Sequence, residues 1–239
     1  MKTYLLFFSL LSLFILSCDS NPVTPTDIPN ENPVTEISGK IASWEKGRTG
    51  LVQLLVQFGV RDTISTSPID SNGNFVFKNL KEIDPQYLIN KVYPVYRDDL
   101  DYLNNHVVCS DSTAGYMPSY IFAYSESFNR FWNQILLKNF DYSASWDMDK
   151  LSRGDTYVEF VYVDKDADLY GDVEAHYQNN PLAKGHIINH FDLKYKKGWN
   201  ARVTKIINFD YYFKGDTSYV IAEYKISNSY SGNFFWDKY

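Results

Sequence analysis

Five segments in the second half of the chain alternate polar and apolar residues: TYVEFVYVD (156–164), DLYGDVEAHY (168–177), HIINHFDLKY (186–195), ARVTKIINFDYYF (201–213) and SYVIAEYKIS (218–227). A period of two sends successive side chains to opposite faces of a strand, a pattern that a helix with 3.6 residues per turn cannot use. Asp-Lys-Asp, Asn-Asn-Pro, Lys-Lys-Gly-Trp-Asn, Lys-Gly-Asp and Ser-Gly-Asn lie between and after them and supply the turns. Strands at this spacing predict an antiparallel sandwich or barrel. No segment holds a 3.6-residue period over eleven residues or more. Twenty Tyr, sixteen Phe and five Trp against twelve Gly and nine Pro point the same way, because flat and β-branched side chains suit a pleated surface. The expected fold class is all-β.

The first half carries shorter signals of the same kind. ISGKIASW (37–44), GLVQLLVQFGV (50–60) and RDTISTSPI (61–69) read as strands, and Asp70-Ser71-Asn72-Gly73-Asn74 is a tight-turn signal before FVFKNL (75–80). Over residues 37–80 this order, I-x-G-x-I early and D-x-N-G-x-F-x-F-x-N-L late, resembles the start of carboxypeptidase-regulatory-like or transthyretin-like β-sandwich modules. In those modules a Gly and a Tyr-containing closing strand follow. Here Lys81-Glu82-Ile83-Asp84-Pro85 intervenes, so SYIFAYS (119–125) is the candidate closing strand. Residues 84–118 read as a long connection with a short helix at Asp98 to Asn104. SYIFAYS and FNRFWNQILLKNF (128–140) read as strands.

The chain opens with Met1-Lys2-Thr3 and an apolar run from Tyr4 to Leu16, too short for a bilayer span of about 20 residues and of the length of a secretory core. It ends Ile15-Leu16-Ser17-Cys18, followed by Asp19-Ser20. This resembles the lipobox of bacterial lipoproteins. The resemblance implies cleavage before Cys18, a diacylglyceryl group on its thiol and acylation of the new amine, and several acyl chains anchor far better than one. Residues 19–36 then hold four Pro among Asn, Asp and Thr, a semi-extended tether. The expected organisation is a signal peptide (1–17), a lipid anchor and tether (18–36), and two antiparallel β-sandwich-like domains (37–150 and 151–239). The order of lipobox, SGKIASW, SPIDSNGNFVF, CSDSTA (109–114), VYVDKDADLYGD (161–172) and FDLKYKKGWN (191–200) also resembles a group of lipoproteins from the Bacteroidetes–Ignavibacteria side of bacteria. That resemblance implies a cell-envelope location and an all-β fold, and no activity.

Several stretches invite a chemical reading. Asp164-Lys165-Asp166-Ala167-Asp168-Leu169-Tyr170-Gly171-Asp172 places carboxylates as a calcium loop does, but Leu169 stands where the loop needs Gly and Ala175 where it needs a bidentate Glu. A hairpin turn explains the same residues. His186 and His190 have a helical zinc spacing, yet on a strand they lie about 13 Å apart. His176 joins either of them only across strands. No P-loop, dinucleotide fingerprint or nucleophile elbow occurs, and with Cys18 taken by the anchor, Cys109 is a lone thiol with no Cys-His context and reads as inert. No metal, cofactor or catalytic residue is expected, and the protein reads as a non-enzyme.

Lys+Arg 23 against Asp+Glu 29 gives a net charge of -6, which excludes the basic footprint of a nucleic-acid partner. The remaining candidates are aromatic. Trp132, Trp146, Trp199 and Trp236 read either as core or as platforms on which sugar rings stack, with core favoured for most. Trp199, in a Lys-Lys-Gly-Trp-Asn hairpin tip, is the candidate ligand-binding residue. The expected partners are the membrane, through Cys18, and a glycan or an envelope protein. The favoured function is a non-catalytic binding or adhesion module. An assembly subunit of an envelope complex comes second and an envelope hydrolase third.

Overall fold

A computed structural model describes residues 33–58, 60–85, 88, 90–92, 100–125, 133–142, 148–177, 183–229 and 232–239. Cys18, the signal peptide, most of the tether, Trp132 and Trp146 lie outside the described residues. The strands are β1 (Glu36–Lys40), β2 (Gly50–Phe58), β3 (Val60–Ile69), β4 (Asn74–Lys78), β5 (Asn90–Lys91), β6 (Leu100–Asn105), β7 (Val108–Cys109), β8 (Gly115–Ser125) and β9 (Asn133–Lys138). They continue with β10 (Thr156–Val163), β11 (Ala167–Tyr177), β12 (Ala183–Tyr195), β13 (Gly198–Lys214), β14 (Thr217–Ser227) and β15 (Phe235–Lys238). The fold is all-β, and Met148–Lys150 forms a short 3-10 turn. Where a short helix was expected at Asp98 to Asn104, Leu100–Asn105 is strand β6, whose backbone pairs with β11. Neighbouring backbone, not local propensity, satisfies its polar groups.

β1 and β4 pair antiparallel into a small sheet, Ile37 opposite Phe77. The turn before β4 forms as its sequence requires. Asp70 Oδ1 accepts the Asn72 and Asn74 amides at 2.8 and 2.9 Å, and Gly73 takes φ +88° where a Cβ would meet Trp44 Cβ at 2.7 Å. The other strands make one large sheet in the order β3-β2-β8-β9-β10-β13-β14-β12-β11-β6. The expected closing strand, SYIFAYS, lies within β8 and pairs with β2.

Two hydrophobic cores are present, as two domains would have, but they occupy opposite faces of this one sheet. Strand β10 shows why. Val158, Phe160 and Tyr162 enter a core under the small sheet with Ile37, Phe77, Val52, Leu54 and Trp236. Val161 and Val163 enter the other, with Leu169, Val173, Leu193 and Tyr195. Each core draws on both sides of residue 150, and β10 pairs with both β8 and β9 across it. The expected boundary there is therefore corrected: it interrupts neither the hydrogen bonding nor the cores. The start of the folded part also moves. Val34, placed in the tether by its Pro-rich surroundings, is buried, and its amide donates to Trp199 O at 2.6 Å.

The sheet is mixed, because β12 and β14 run parallel, Ala183 opposite Ser218 through Asp192 opposite Ser227. The chain reverses from β12 into β13 and again from β13 into β14, and β14 inserts between them. Two reversals restore the original direction. Beyond Ser227 side chains take over: buried Asn200 accepts the Lys196 amide at 2.9 Å and donates to Lys196 O at 2.7 Å, while Asn228 joins the Lys194 amide to Ala201 O.

Candidate functional site

The face of the sheet that the small sheet covers at β2, β8 and β10 emerges uncovered farther along β13, β14, β12 and β11. Residues opposite one another in register share a face, so these four strands display rows of side chains. One row is Tyr212, Tyr219 and Lys184. The next is Asp210, Ile221, His186, His176 and, on β6, Asp101. Asn208, Glu223, Ile188, Glu174 and Asn104 follow, and Lys205, Lys225, His190 and Asp172 end the platform. A bulge between Ile206 and Asn208 keeps the rows in phase: it shifts the register by one residue, so that Asn208 shares the face of Lys205.

The aromatic row is at the tip of the long β13–β14 hairpin. Tyr212 is 41% exposed and lies parallel to Tyr219, with an interplanar angle of 3° and centroids 5.1 Å apart. Lys184 Nζ stands 6.0 Å from the Tyr219 centroid. On the opposite face Phe213, 64% exposed, meets Tyr211 edge to face at 5.4 Å. These residues were not singled out from sequence. The signal was present: FDYYF runs straight into the Lys214-Gly215-Asp216 turn, which leaves aromatic residues at a hairpin end where no second layer covers them.

The rows beyond the aromatic one pair imidazoles with carboxylates. His186 Nε2 meets Glu174 Oε1 at 2.7 Å, and His176 and His186 lie edge to face at 4.8 Å. His190 is held from both sides, Nδ1 to Asp172 Oδ1 at 2.6 Å and Nε2 to Glu223 Oε1 at 2.8 Å. As expected on a strand, His186 and His190 fall in different rows, with Ile188 between them, and each has its own carboxylate. Among the described residues no three His, Cys, Asp or Glu side chains gather as a metal-ligand set.

The carboxylates of the 164–172 stretch diverge. Asp164 accepts the Gly115 amide at 2.6 Å, and Asp166 takes Lys196 Nζ and the Lys197 amide at 2.9 and 2.8 Å. Asp172 goes to His190. Gly171 replaces a side chain here for a spatial reason, since its φ is +112° and a Cβ would stand 2.2 Å from His106 O. Cys109 is half-buried on β7, and burial pushes its thiol pKa up, which disfavours the nucleophilic thiolate.

Trp199 is corrected from platform to core. It is 2% exposed, its Nε1 donates to Lys81 O at 2.8 Å, and its ring meets Tyr162 edge to face. Lys-Lys-Gly-Trp-Asn does not make a hairpin tip, because β14 separates β12 from β13, and the second residue of β13 points under the small sheet. Trp236 is core as well, at 1% exposure.

No protein-family model, curated protein or solved structure matches the chain. The site is therefore read from its own chemistry. It is an open sheet surface that offers aromatic rings at one end, hydrogen-bonding imidazoles and carboxylates beyond them, and two ammonium groups at the other end. Such a surface is suited to laying down an extended polar ligand.

The doubly held imidazole makes stability depend on pH. Partial burial works against its charged form, but the hydrogen bonds to Asp172 and Glu223 outweigh burial and raise the His190 pKa above its ordinary value. A raised folded pKa means the stabilisation is fully present below the unfolded value of about 6.5 and is lost as pH rises through the folded pKa. His190→Gln is expected to narrow the difference in melting temperature between about pH 6 and pH 8.5. An unchanged difference would exclude His190 as its source.

Proposed function

We propose that this chain is a lipid-anchored, non-catalytic binding module of the cell envelope, and that it takes a glycan on the open face of β13, β14, β12 and β11. The observation that carries this reading is the parallel pair of exposed Tyr212 and half-buried Tyr219, in register with a field of hydrogen-bonding side chains. Sugar rings present C–H groups to aromatic faces and hydroxyls at their edges. The platform supplies partners for both, with His186, Glu174, Asn208 and Asn104 beyond the aromatic row. Anchoring through Cys18 at the end of a Pro-rich tether would hold this face off the membrane.

The test is binding of the mature protein to neutral cello-, chito- and manno-oligosaccharides, by array and then by calorimetry. Tyr212→Ala and Tyr219→Ala are expected to weaken binding about tenfold or more, as truncation of an anchoring aromatic does. Both side chains are at least partly exposed, so the fold should survive. Wild-type binding that ignores both substitutions would sink the reading.

A second reading, an assembly subunit of an envelope complex, is favoured by one feature: Phe213 extends the apolar surface of the hairpin tip to the other face. Pairing through a sheet edge is less favoured. β3 ends the sheet and carries Pro68 and the exposed Asp62, features that blunt edge pairing. Phe213→Ser separates the two readings, because it should abolish cross-linking to an envelope partner and leave oligosaccharide binding intact.

A further inference from the structure

A hollow of about 370 Å³ opens where the platform meets the covered half of the sheet. Its walls include Thr156, Lys205, Lys225, Ser227, Ser229 and Phe234. Lys205 and Lys225 are directly opposite on β13 and β14, and both are exposed. Residues so opposed have Cβ atoms about 5 Å apart, and like charges placed directly opposite one another are destabilising. Neither lysine has an ion pair with a carboxylate of the described residues, although the chain as a whole carries more acids than bases.

The carboxylates that flank the pair are engaged elsewhere. Glu223, two residues before Lys225, accepts from His190 Nε2 at 2.8 Å. Asp155, beside Thr156, accepts the Ser152 amide at 2.8 Å and the Tyr142 hydroxyl. Among the described residues the lining contains no acid at all. The Thr156 and Ser227 hydroxyls donate to the backbone oxygens of Gly154 and Ser229, which leaves the two ammonium groups as the charged donors of the hollow. Buried Val203 and Phe234 supply an apolar floor. The volume falls within the range of small-ligand sites.

We propose that this hollow is an anion site that takes the carboxylate or phosphate group of a small ligand between Lys205 and Lys225. The anion neutralises a repulsion that no carboxylate ion pair among the described residues relieves. Ammonium-to-oxyanion hydrogen bonds supply the attraction, and the apolar floor accommodates the body of the ligand. The inference concerns the lysine end of the same platform and does not need the glycan reading, because it uses neither tyrosine of the aromatic row, its ligand is charged, and neutral sugars do not test it.

The experiment is a titration of the mature protein with inorganic phosphate, with glucuronate and with glucose, followed by melting temperature and by amide shifts, with chloride holding ionic strength constant. At least one of the two anions is expected to give a saturable rise in melting temperature with shifts confined to β13, β14 and residues 154–156, and glucose none. Saturation by phosphate alone identifies a phosphate group, and saturation by glucuronate a carboxylate. Lys205→Gln and Lys225→Gln should each weaken the effect about tenfold, and the double substitution should abolish it. Without ligand each single variant should melt no lower than wild type, since a repulsion has been removed, and this also shows that the variants fold. The proposal is overturned if neither anion exceeds chloride, or if the double variant responds as wild type does.

Discussion

Trp236→Ala should lower the free energy of unfolding by about 3–5 kcal/mol, the cost of emptying a fully buried aromatic position. Trp236 sits near the end of the chain on β15, yet it packs edge to face on Phe75 at 5.2 Å and stacks near Phe160 at 6.0 Å. Its Nε1 donates to Ser38 O at 3.1 Å, and its backbone oxygen accepts the Ala42 amide at 2.8 Å. One side chain thus ties the small sheet, the large sheet and the C-terminal strand together. Removing it leaves a void between two sheets that cannot collapse without shifting both. Urea unfolding measures the loss, and hydrogen exchange should show β1 and β4 losing protection before β12 to β14. Trp236→Phe should lose less, because it keeps most of the volume. A loss below about 1 kcal/mol for the alanine variant would mean that the small sheet is held by other contacts.

Cys18→Ala should move essentially all of the protein from the membrane to the soluble fraction of the cell. The expectation follows from the apolar run that stops at Ser17-Cys18 and from the acyl chains the lipobox resemblance implies. Among the described residues no helix is long and apolar enough to cross a membrane. Carbonate-washed membranes from cells expressing each form give the readout. Retention of the alanine variant in the washed pellet would overturn the proposed anchoring. Loss of attachment should leave the melting temperature of the β fold untouched, since Cys18 precedes the first buried residue of the described fold, Val34, by a Pro-rich stretch.

The two effects are of different kinds, and the sequence announced them unequally. The resemblance to a lipobox rests on a local signal, readable within a handful of residues. The role of Trp236 is not local, because its partners Ser38 and Phe75 lie far away in sequence. The aromatic platform stands between these cases. Alternation through FDYYF and SYV fixed which residues share a face, but whether that face met another layer depended on where the small sheet ended. Trp199 went the other way: a turn-like Lys-Lys-Gly-Trp-Asn suggested exposure, and the insertion of β14 put the ring in the core.

Period-two patterning, turn chemistry and composition therefore determined the all-β class and the strand positions in the second half of the chain. They act through backbone geometry and the direction of successive side chains, which neighbouring residues alone can specify. Tertiary structure decided the rest: a large mixed sheet with a core on each face, the burial of Val34 and Trp199, and the exposure of Tyr212 beside half-buried Tyr219. It also decided that two lysines stand opposite one another without an acid between them. Each of these depends on which strands become neighbours. That choice is made by packing between segments far apart in sequence, and no local pattern encodes it.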